Sequence, residues 1–219
     1  MRITILSDTV CPWCFIGKRR FERALSMRPQ QSLEVVWKPF QLNPTMPKEG
    51  IDRKQYLATK FGGIERADRQ YDRIRQVGRE EGIAFDFERI GRTPNTVNSH
   101  RLVYLAGQRG SQDAVVEGLF RAYFLDGRDV GDIAVLADVA AAAGFDRDEV
   151  MRYLLGDEDQ FQILALDESA RRNGITGVPC FIVEDRYAIS GAQSPEIFHQ
   201  IFDLVRQEAR YMTGRSAAE

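Results

Sequence analysis

The chain opens on a short apolar run. Ile3-Thr4-Ile5-Leu6, within residues 2–7, reads as a buried strand. Over residues 12–28 the apolar positions Phe15, Ile16, Phe21 and Leu25 give a helix-like pattern, and Pro29 ends it. Residues 33–40, Leu-Glu-Val-Val-Trp-Lys-Pro-Phe, are rich in β-formers and predict a second strand. Pro39 cannot donate to a ladder, so it places that strand at a sheet edge or marks its end. Asn43-Pro44 and Met46-Pro47 then signal a loop.

Residues 52–173 read as mostly helical. Tyr56, Leu57 and Phe61 form one apolar stripe, broken at Gly62-Gly63, and Ile64, Ala67, Tyr71, Ile74 and Gly78 continue at three- and four-residue steps. Gly82 to Gly91 predicts a loop or a short extended piece around Phe85 and Phe87. Thr93-Pro94 is a cap-and-first-turn signal for a helix through Leu102 and Leu105. Val115, Val116, Leu119, Phe120 and Tyr123 mark another helix. Ile133, Leu136, Ala137 and Ala140 mark a third, closed by Gly144. Asp146 with Glu149 resembles a capping box ahead of Val150 and Leu154. Residues 158–173 complete this stretch, ending at Gly174. Two extended runs follow, Cys180 to Val183 and Tyr187 to Ser190, joined by the turn Glu184-Asp185-Arg186 into a hairpin. Ser194-Pro195 caps a last amphipathic helix through Ile197, Phe198, Ile201, Phe202, Leu204 and Val205. The outer segments therefore spell β-α-β … β-β-α.

Candidate chemistry sits at the start of the first helix, in Cys11-Pro12-Trp13-Cys14. Strand, short loop, C-x-x-C and helix put Cys11 at the first turn and Cys14 about one turn further in. Free N–H groups and the positive end of the helix dipole favour a thiolate there, the nucleophile of disulfide exchange. Pro12 fits a position where no helical N–H is needed. The competing reading is two buried or zinc-binding cysteines. A structural zinc site needs about four ligands, and only Cys180, His100 and His199 remain, none in a second paired motif.

Composition narrows the function classes. At 219 residues the chain suits one large domain, or a small one carrying an insertion. The apolar fraction of 43% and charged fraction of 28% are ordinary for a soluble globular protein. A net charge of −2 points to neither a nucleic-acid partner nor an anionic membrane surface. The Arg-rich stretch from Arg66 to Arg79 is interleaved with Asp and Glu and reads as solvated helix face. No run is long and apolar enough for a spanning helix. Met1-Arg2 leads directly into the first strand without a signal-like stretch, so the cytoplasm is the expected compartment. Three cysteines, two of them in C-x-x-C, agree with catalytic use better than with a disulfide framework.

The stretch SDTVCPWCFIG resembles the start of the DsbA-like thiol oxidoreductases, in particular the FrnE-like branch of the thioredoxin superfamily. Further matches are Phe40-Gln41-Leu42-Asn43-Pro44, Asn95-Thr96 with His100-Arg101-Leu102, Gly177-Val178-Pro179 and Ser190-Gly191-Ala192-Gln193. They run in order along nearly the whole chain. The resemblance implies an α/β thioredoxin-like core from residues 1–44 and 174–219, with an all-helical insertion over 45–173. It implies a thiol:disulfide oxidoreductase with Cys11 as nucleophile and Cys14 as resolving thiol. Protein or peptide disulfides would be substrates, and glutathione or a thioredoxin-type reductant would recycle it. No metal or organic cofactor is required. Pro179 is then a cis-proline facing the dithiol, and the backbone of Val178 can pair with an extended peptide lying across Cys11. Pro12 and Trp13 join the substrate contacts. Asn95 and His100 fall on the insertion near the dithiol groove, where His100 can stabilise a thiolate or touch substrate. From the residues alone they read as a helix-start Asn and a packed or surface histidine.

Three other residues carry two readings each. Asp8, three residues before Cys11, would disfavour a thiolate if close; a turn or helix-cap role is the simpler expectation, capping first. Lys38 is either a partly buried proton relay or an exposed strand lysine. Cys180 follows Pro179 directly, where relatives usually lack cysteine, and reads as a buried inert thiol or as a third redox or metal-trapping group. Two rival functions also fit the outline. One is a glutathione-dependent isomerase or transferase of the kappa-class or 2-hydroxychromene-2-carboxylate isomerase type, whose active-site position is typically serine. The other is a non-enzymatic holdase whose insertion offers apolar surface.

Overall fold

The computed structural model describes the backbone of residues 1–30 and 32–216, and side chains in that range through residue 210. Residues 217–219, the end of the expected second core segment, lie outside the described residues. Strand β1 (Arg2–Ser7) is central to a four-stranded sheet, and Ile3 and Ile5 on it are fully buried. The edge strand β2 (Glu34–Pro39) runs parallel to β1, with Ser7 opposite Pro39. An edge is where a strand tolerates proline. On the other side, β5 (Cys180–Val183) runs antiparallel to β1, and β6 (Tyr187–Ser190) antiparallel to β5. The β5–β6 turn holds Glu184 and Asp185 at positive φ, 52° and 53°, a left-handed geometry used by tight hairpins.

Helix α1 (Pro12–Met27) crosses from β1 to β2 and carries the C-x-x-C pair. Arg28 leaves helical space at φ −141°, as expected of a residue preceding proline. The helix is packed from two directions. On the sheet side, the Phe21 ring lies 5.5 Å from Phe181 and 5.5 Å from Phe198 of the last helix, α9 (Pro195–Ser216). On the other side, Phe15 stacks on Phe120 of α5 (Gln112–Phe124) at 5.1 Å. Each fully buried phenylalanine contributes about 1.5–3 kcal/mol. A polar clamp runs beside these rings. Lys18, only 2% exposed, pairs with Glu22, with Asp113 at 3.1 Å and with Glu117 at 3.3 Å. Burial pulls the Lys18 ammonium down, but these three carboxylates hold it above its ordinary range.

The segment between β2 and β5 is a large helical insertion: α2 (Arg53–Phe61), α3 (Ile64–Glu80), α4 (Val97–Gln108), α5, α6 (Ile133–Ala142), α7 (Arg147–Leu155) and α8 (Gln160–Arg172). Gly62 at φ 69° separates α2 from α3, and Gly144 at φ 91° closes α6, both as the sequence predicts. Glu149 N donates to the Asp146 side chain at 2.8 Å, one half of the expected capping box. Arg101, from the His100-Arg101-Leu102 match, is fully buried and donates to the carbonyls of Tyr153, Leu154 and Glu158. It thereby satisfies the carbonyl end of α7.

Two local expectations change. The helix predicted from Thr93-Pro94 begins at Val97 instead. Thr93 belongs to β4 (Arg92–Thr93), which pairs with β3 (Ile51–Asp52), so the insertion also contains a two-residue ladder. Helix α4 is started by Asn95, whose side-chain oxygen accepts from Val97 N at 3.0 Å. The Gly82–Gly91 stretch is a loop, one of its two sequence readings, and carries a single 3₁₀ turn at Phe87–Arg89, with Phe85 and Phe87 stacked at 4.9 Å. One continuous apolar cluster joins β1, α1, β5 and α9 to α5, α6 and α7. Among the described residues no helix is long and apolar enough to cross a membrane.

Gly17 fixes how closely α1 approaches the loop before β5. A Cβ there would lie 2.8 Å from Pro179 Cγ and 3.4 Å from the Phe181 ring. A proline ring cannot swing aside as a long side chain can. Gly17→Ala is therefore expected to destabilise the protein by about 1–3 kcal/mol through overpacking, despite alanine's better helix propensity. Equilibrium denaturant unfolding checks this; an unchanged or raised midpoint contradicts it.

Candidate active site

The turn between β1 and α1 builds the dithiol site. Cys11 takes the N-cap position with extended backbone, φ −95° and ψ 110°. Its N–H donates to Asp8 O at 3.0 Å, and its carbonyl accepts from Cys14 N at 3.0 Å. Pro12 fills the first helical position, where its missing N–H leaves nothing unsatisfied. Cys11, Cys14 and Cys180 are all free thiols, and all are buried. The Cys14 thiol is pushed well up by burial, then by the neighbouring Cys11 sulfur; bonds from Ser7 and the Asp8 backbone oppose this without reversing it. Cys14 therefore keeps its proton more tightly than an exposed cysteine.

Facing the dithiol is the loop before β5. The Val178–Pro179 bond is cis, and Cys11 Sγ donates to Val178 O at 3.6 Å. Pro179 O accepts from Gly191 N at 2.8 Å, which ties the loop to the end of β6. Cys180, next in sequence, points away into a small cluster with Leu6, Phe40 and Ala170. Burial raises its thiol, with an opposing bond from Ser190.

Behind the dithiol, the structure corrects the reading of Asp8. No side chain caps α1. Asp8 is fully buried, and its Oδ2 accepts from Leu42 N at 2.7 Å. That backbone N–H, in the loop after β2, needs an acceptor once buried, and the Asp8 carboxylate supplies it. The other oxygen, Oδ1, lies 3.4 Å from His100 Nε2, and His100 is itself 4% exposed. His100 thus packs behind the site against Asp8. Asn95 secures the loop after β2 by donating to Met46 O at 2.8 Å. Neither His100 nor Asn95 lines the cavity beside Cys11. Lys38 lies part-buried on the edge strand β2, at a separate cavity of about 520 Å³ that His100 also lines.

The cavity beside Cys11 has a volume of about 260 Å³. It brings together four residues predicted from sequence: Cys11, Pro12, Trp13 and Val178. Pro179, behind Val178, lines a neighbouring cavity with Cys180. The opposite wall comes from the insertion, and sequence reasoning did not find it. Arg53 opens α2, is 6% exposed, lies over the Tyr71 ring at 5.1 Å and donates to Tyr123 Oη at 3.2 Å. Tyr56 and Lys60 follow one and two turns later. No local pattern marks Arg53, because its partners arrive from α3 and α5. A free dithiol, one sulfur at a cavity and the other shielded a turn inside, has the parts for thiol–disulfide exchange.

Comparison with known proteins agrees with this geometry. Residues 2–203 match the family described as DSBA-like thioredoxin domain. A probable DsbA oxidoreductase from Streptomyces coelicolor superposes with a TM-score of 0.85 at 34% identity, covering 95% of this chain and 91% of that one. The uncharacterized protein YwbO of Bacillus subtilis is 28% identical over 206 residues, 91% of this chain and 94% of its own length. The cytosolic disulfide reductase DsbM from Pseudomonas aeruginosa, solved with GSH, shares the fold at a TM-score of 0.68 and 17% identity, covering 94% of this chain and 100% of that one. The fold, the C-x-x-C dithiol and this match together support thiol–disulfide oxidoreductase chemistry, and the chain belongs to the DSBA-like thioredoxin domain family.

Proposed function

We propose that the protein is a cytoplasmic thiol:disulfide oxidoreductase acting on protein or peptide disulfides, with Cys11 as nucleophile and Cys14 as resolving thiol. The observation that carries this reading is the asymmetry of the free dithiol. Cys11 lines the cavity at the start of α1, while Cys14 is buried inside with its thiol held protonated. Cys11 thiolate attacks one sulfur of a substrate disulfide, forming a mixed disulfide and releasing the other sulfur as thiolate. Cys14 then gives up its proton and attacks the Cys11 sulfur. The substrate leaves as its second thiol, and Cys11–Cys14 becomes the disulfide. Two electrons have passed from protein to substrate. Glutathione or a thioredoxin-type dithiol returns the protein to the reduced state. In a reducing compartment this cycle runs as a reductase or isomerase. Substrate lies extended along Val178 and Pro179, flanked by Pro12 and Trp13. SDTVCPWCFIG supports a place in the FrnE-like branch. The serine-based isomerase reading has no comparable support, since this chain carries Cys11 at that position.

Two measurements test the roles. Cys14→Ser should accumulate a mixed disulfide through Cys11 when given a peptide disulfide, because the resolving thiol is missing; Cys11→Ser should not. Intact mass followed by peptide mapping reads this, and an adduct on Cys180 would reassign the nucleophile.

The second concerns pH. An unfolded cysteine ionises near 8.5, whereas native Cys14 holds its proton to higher pH. Below about pH 8.5 both states keep the proton and this contribution to stability is fully present. Above it the unfolded chain releases a proton that the native state retains, so rising pH favours unfolding, by at most about 1.4 kcal/mol per pH unit. The reduced protein should lose stability through that window, and Cys14→Ala should lose less. Denaturant titrations at a series of alkaline pH values measure both slopes; equal slopes would reject a raised Cys14.

A further inference from the structure

Arg53 is a buried guanidinium that no carboxylate among the described residues neutralises. Buried charges are ordinarily paired. Here Nη1 donates to the neutral Tyr123 hydroxyl, and the remaining contacts are the faces of Tyr71 and Tyr123. Lys60 shares the cavity wall. Its ammonium donates to Tyr56 Oη at 2.7 Å, and Tyr56 in turn donates to Asn43 Oδ1 at 2.9 Å. Among the described residues, neither cation has an acidic side chain within ion-pair reach. The cavity lining also contains no Asp and no Glu. That bias is notable in a chain with 32 acidic and 30 basic side chains. Between α1 and α5, by contrast, Arg19 and Lys18 are both met by Glu117. Arg101, the other buried guanidinium without an acid partner, is saturated by the carbonyls of Tyr153, Leu154 and Glu158, whereas Arg53 and Lys60 line the cavity that Cys11 also lines.

The arrangement has the character of an anion site. A guanidinium set over the Tyr71 ring and bonded to the Tyr123 hydroxyl has a planar fork suited to a carboxylate. Its low exposure strengthens the interaction relative to a surface arginine. Burial and the bond to Tyr123 restrain its side chain, so little freedom is lost when a ligand arrives. A volume of about 260 Å³ is small for a length of protein chain and suits part of a small molecule.

Resting on the dithiol reading above, we infer that the cavity recognises a small carboxylate-bearing disulfide or thiol, with Arg53 and Lys60 as the specificity-determining residues. A carboxylate on Arg53 places the rest of the ligand along the wall that ends at Cys11, where its sulfur meets the nucleophile. The exchange chemistry is unchanged; Arg53 selects which disulfide is held for it. Peptide disulfides with acidic flanks carry the same group, so the test separates the two sources.

The test is the rate of oxidation of the reduced protein by a matched set of disulfides, followed by tryptophan fluorescence or quenched mass analysis. The set is oxidised glutathione (anionic), hydroxyethyl disulfide (neutral), cystamine (cationic) and a peptide disulfide flanked by glutamates. For the wild type, after correction for intrinsic reactivity with a free model thiol, the expected order is anionic, then neutral, then cationic. The preference should shrink with added salt. Arg53→Gln should lower the ratio of the oxidised-glutathione rate to the hydroxyethyl rate by about tenfold or more, and Arg53→Lys should restore part of it. Lys60→Gln, at an exposed position, should lower the ratio by a smaller factor, and it carries the test if Arg53→Gln does not fold. A ratio unchanged by the substitutions, or an equal loss with all probes, overturns the assignment and leaves Arg53 a packing residue. A selective loss only with the acidic peptide overturns the small-molecule occupant. Failure of the wild type to react with any probe would instead overturn the dithiol reading itself.

Discussion

Helix α1 must be buried on two sides at once, and the site inherits its geometry from that. Phe21 faces the sheet and α9, while Phe15 faces α5 and the Phe85–Phe124 rings of the insertion. Neither layer covers the helix alone. Lys18 is fully covered yet paired to α5, so the polar contacts follow the same seam as the aromatic ones. Because Cys11 begins this helix, the sulfur is located by packing on both faces. Gly17 lets the same helix come down onto Pro179, which sets the spacing between the dithiol and the loop opposite. Core packing at this density permits little slack.

The consequence for function is a division of labour across the seam. The core supplies the Cys11–Cys14 dithiol and the cis Val178–Pro179 loop facing it. The insertion supplies the facing wall, with Arg53, Tyr56 and Lys60. Asp8 links the parts from behind, accepting from Leu42 N in the loop after β2 and lying beside His100 of α4. An apolar residue at this position would leave Leu42 N without its acceptor.

Much of this was legible in the sequence where the signal is local. The apolar run of β1, the proline after α1, the glycines closing α2 and α6, and Pro195 opening α9 each act within a few residues, and the structure follows them. The C-x-x-C pair was legible for the same reason, since its context needs only the adjoining strand and helix. Thr93-Pro94 misled because a threonine before proline serves equally as a strand end and as a helix cap; only the pairing of Thr93 with Ile51 decides. Asp8 misled because its acceptor duty is owed to Leu42, 34 positions later. Arg53 gave no signal at all, because a guanidinium becomes a candidate ligand only after tyrosines from distant helices bury it and no acid follows.

The central claim is that the Cys11–Cys14 pair passes electrons to a disulfide. Its most direct measurement is the reduction of insulin disulfides by the protein in glutathione buffers set from reducing to oxidising. Turnover is expected in the reducing buffers, declining as the poise becomes oxidising and absent in Cys11→Ser. No turnover by the wild type in any buffer, or undiminished turnover by Cys11→Ser, would contradict it.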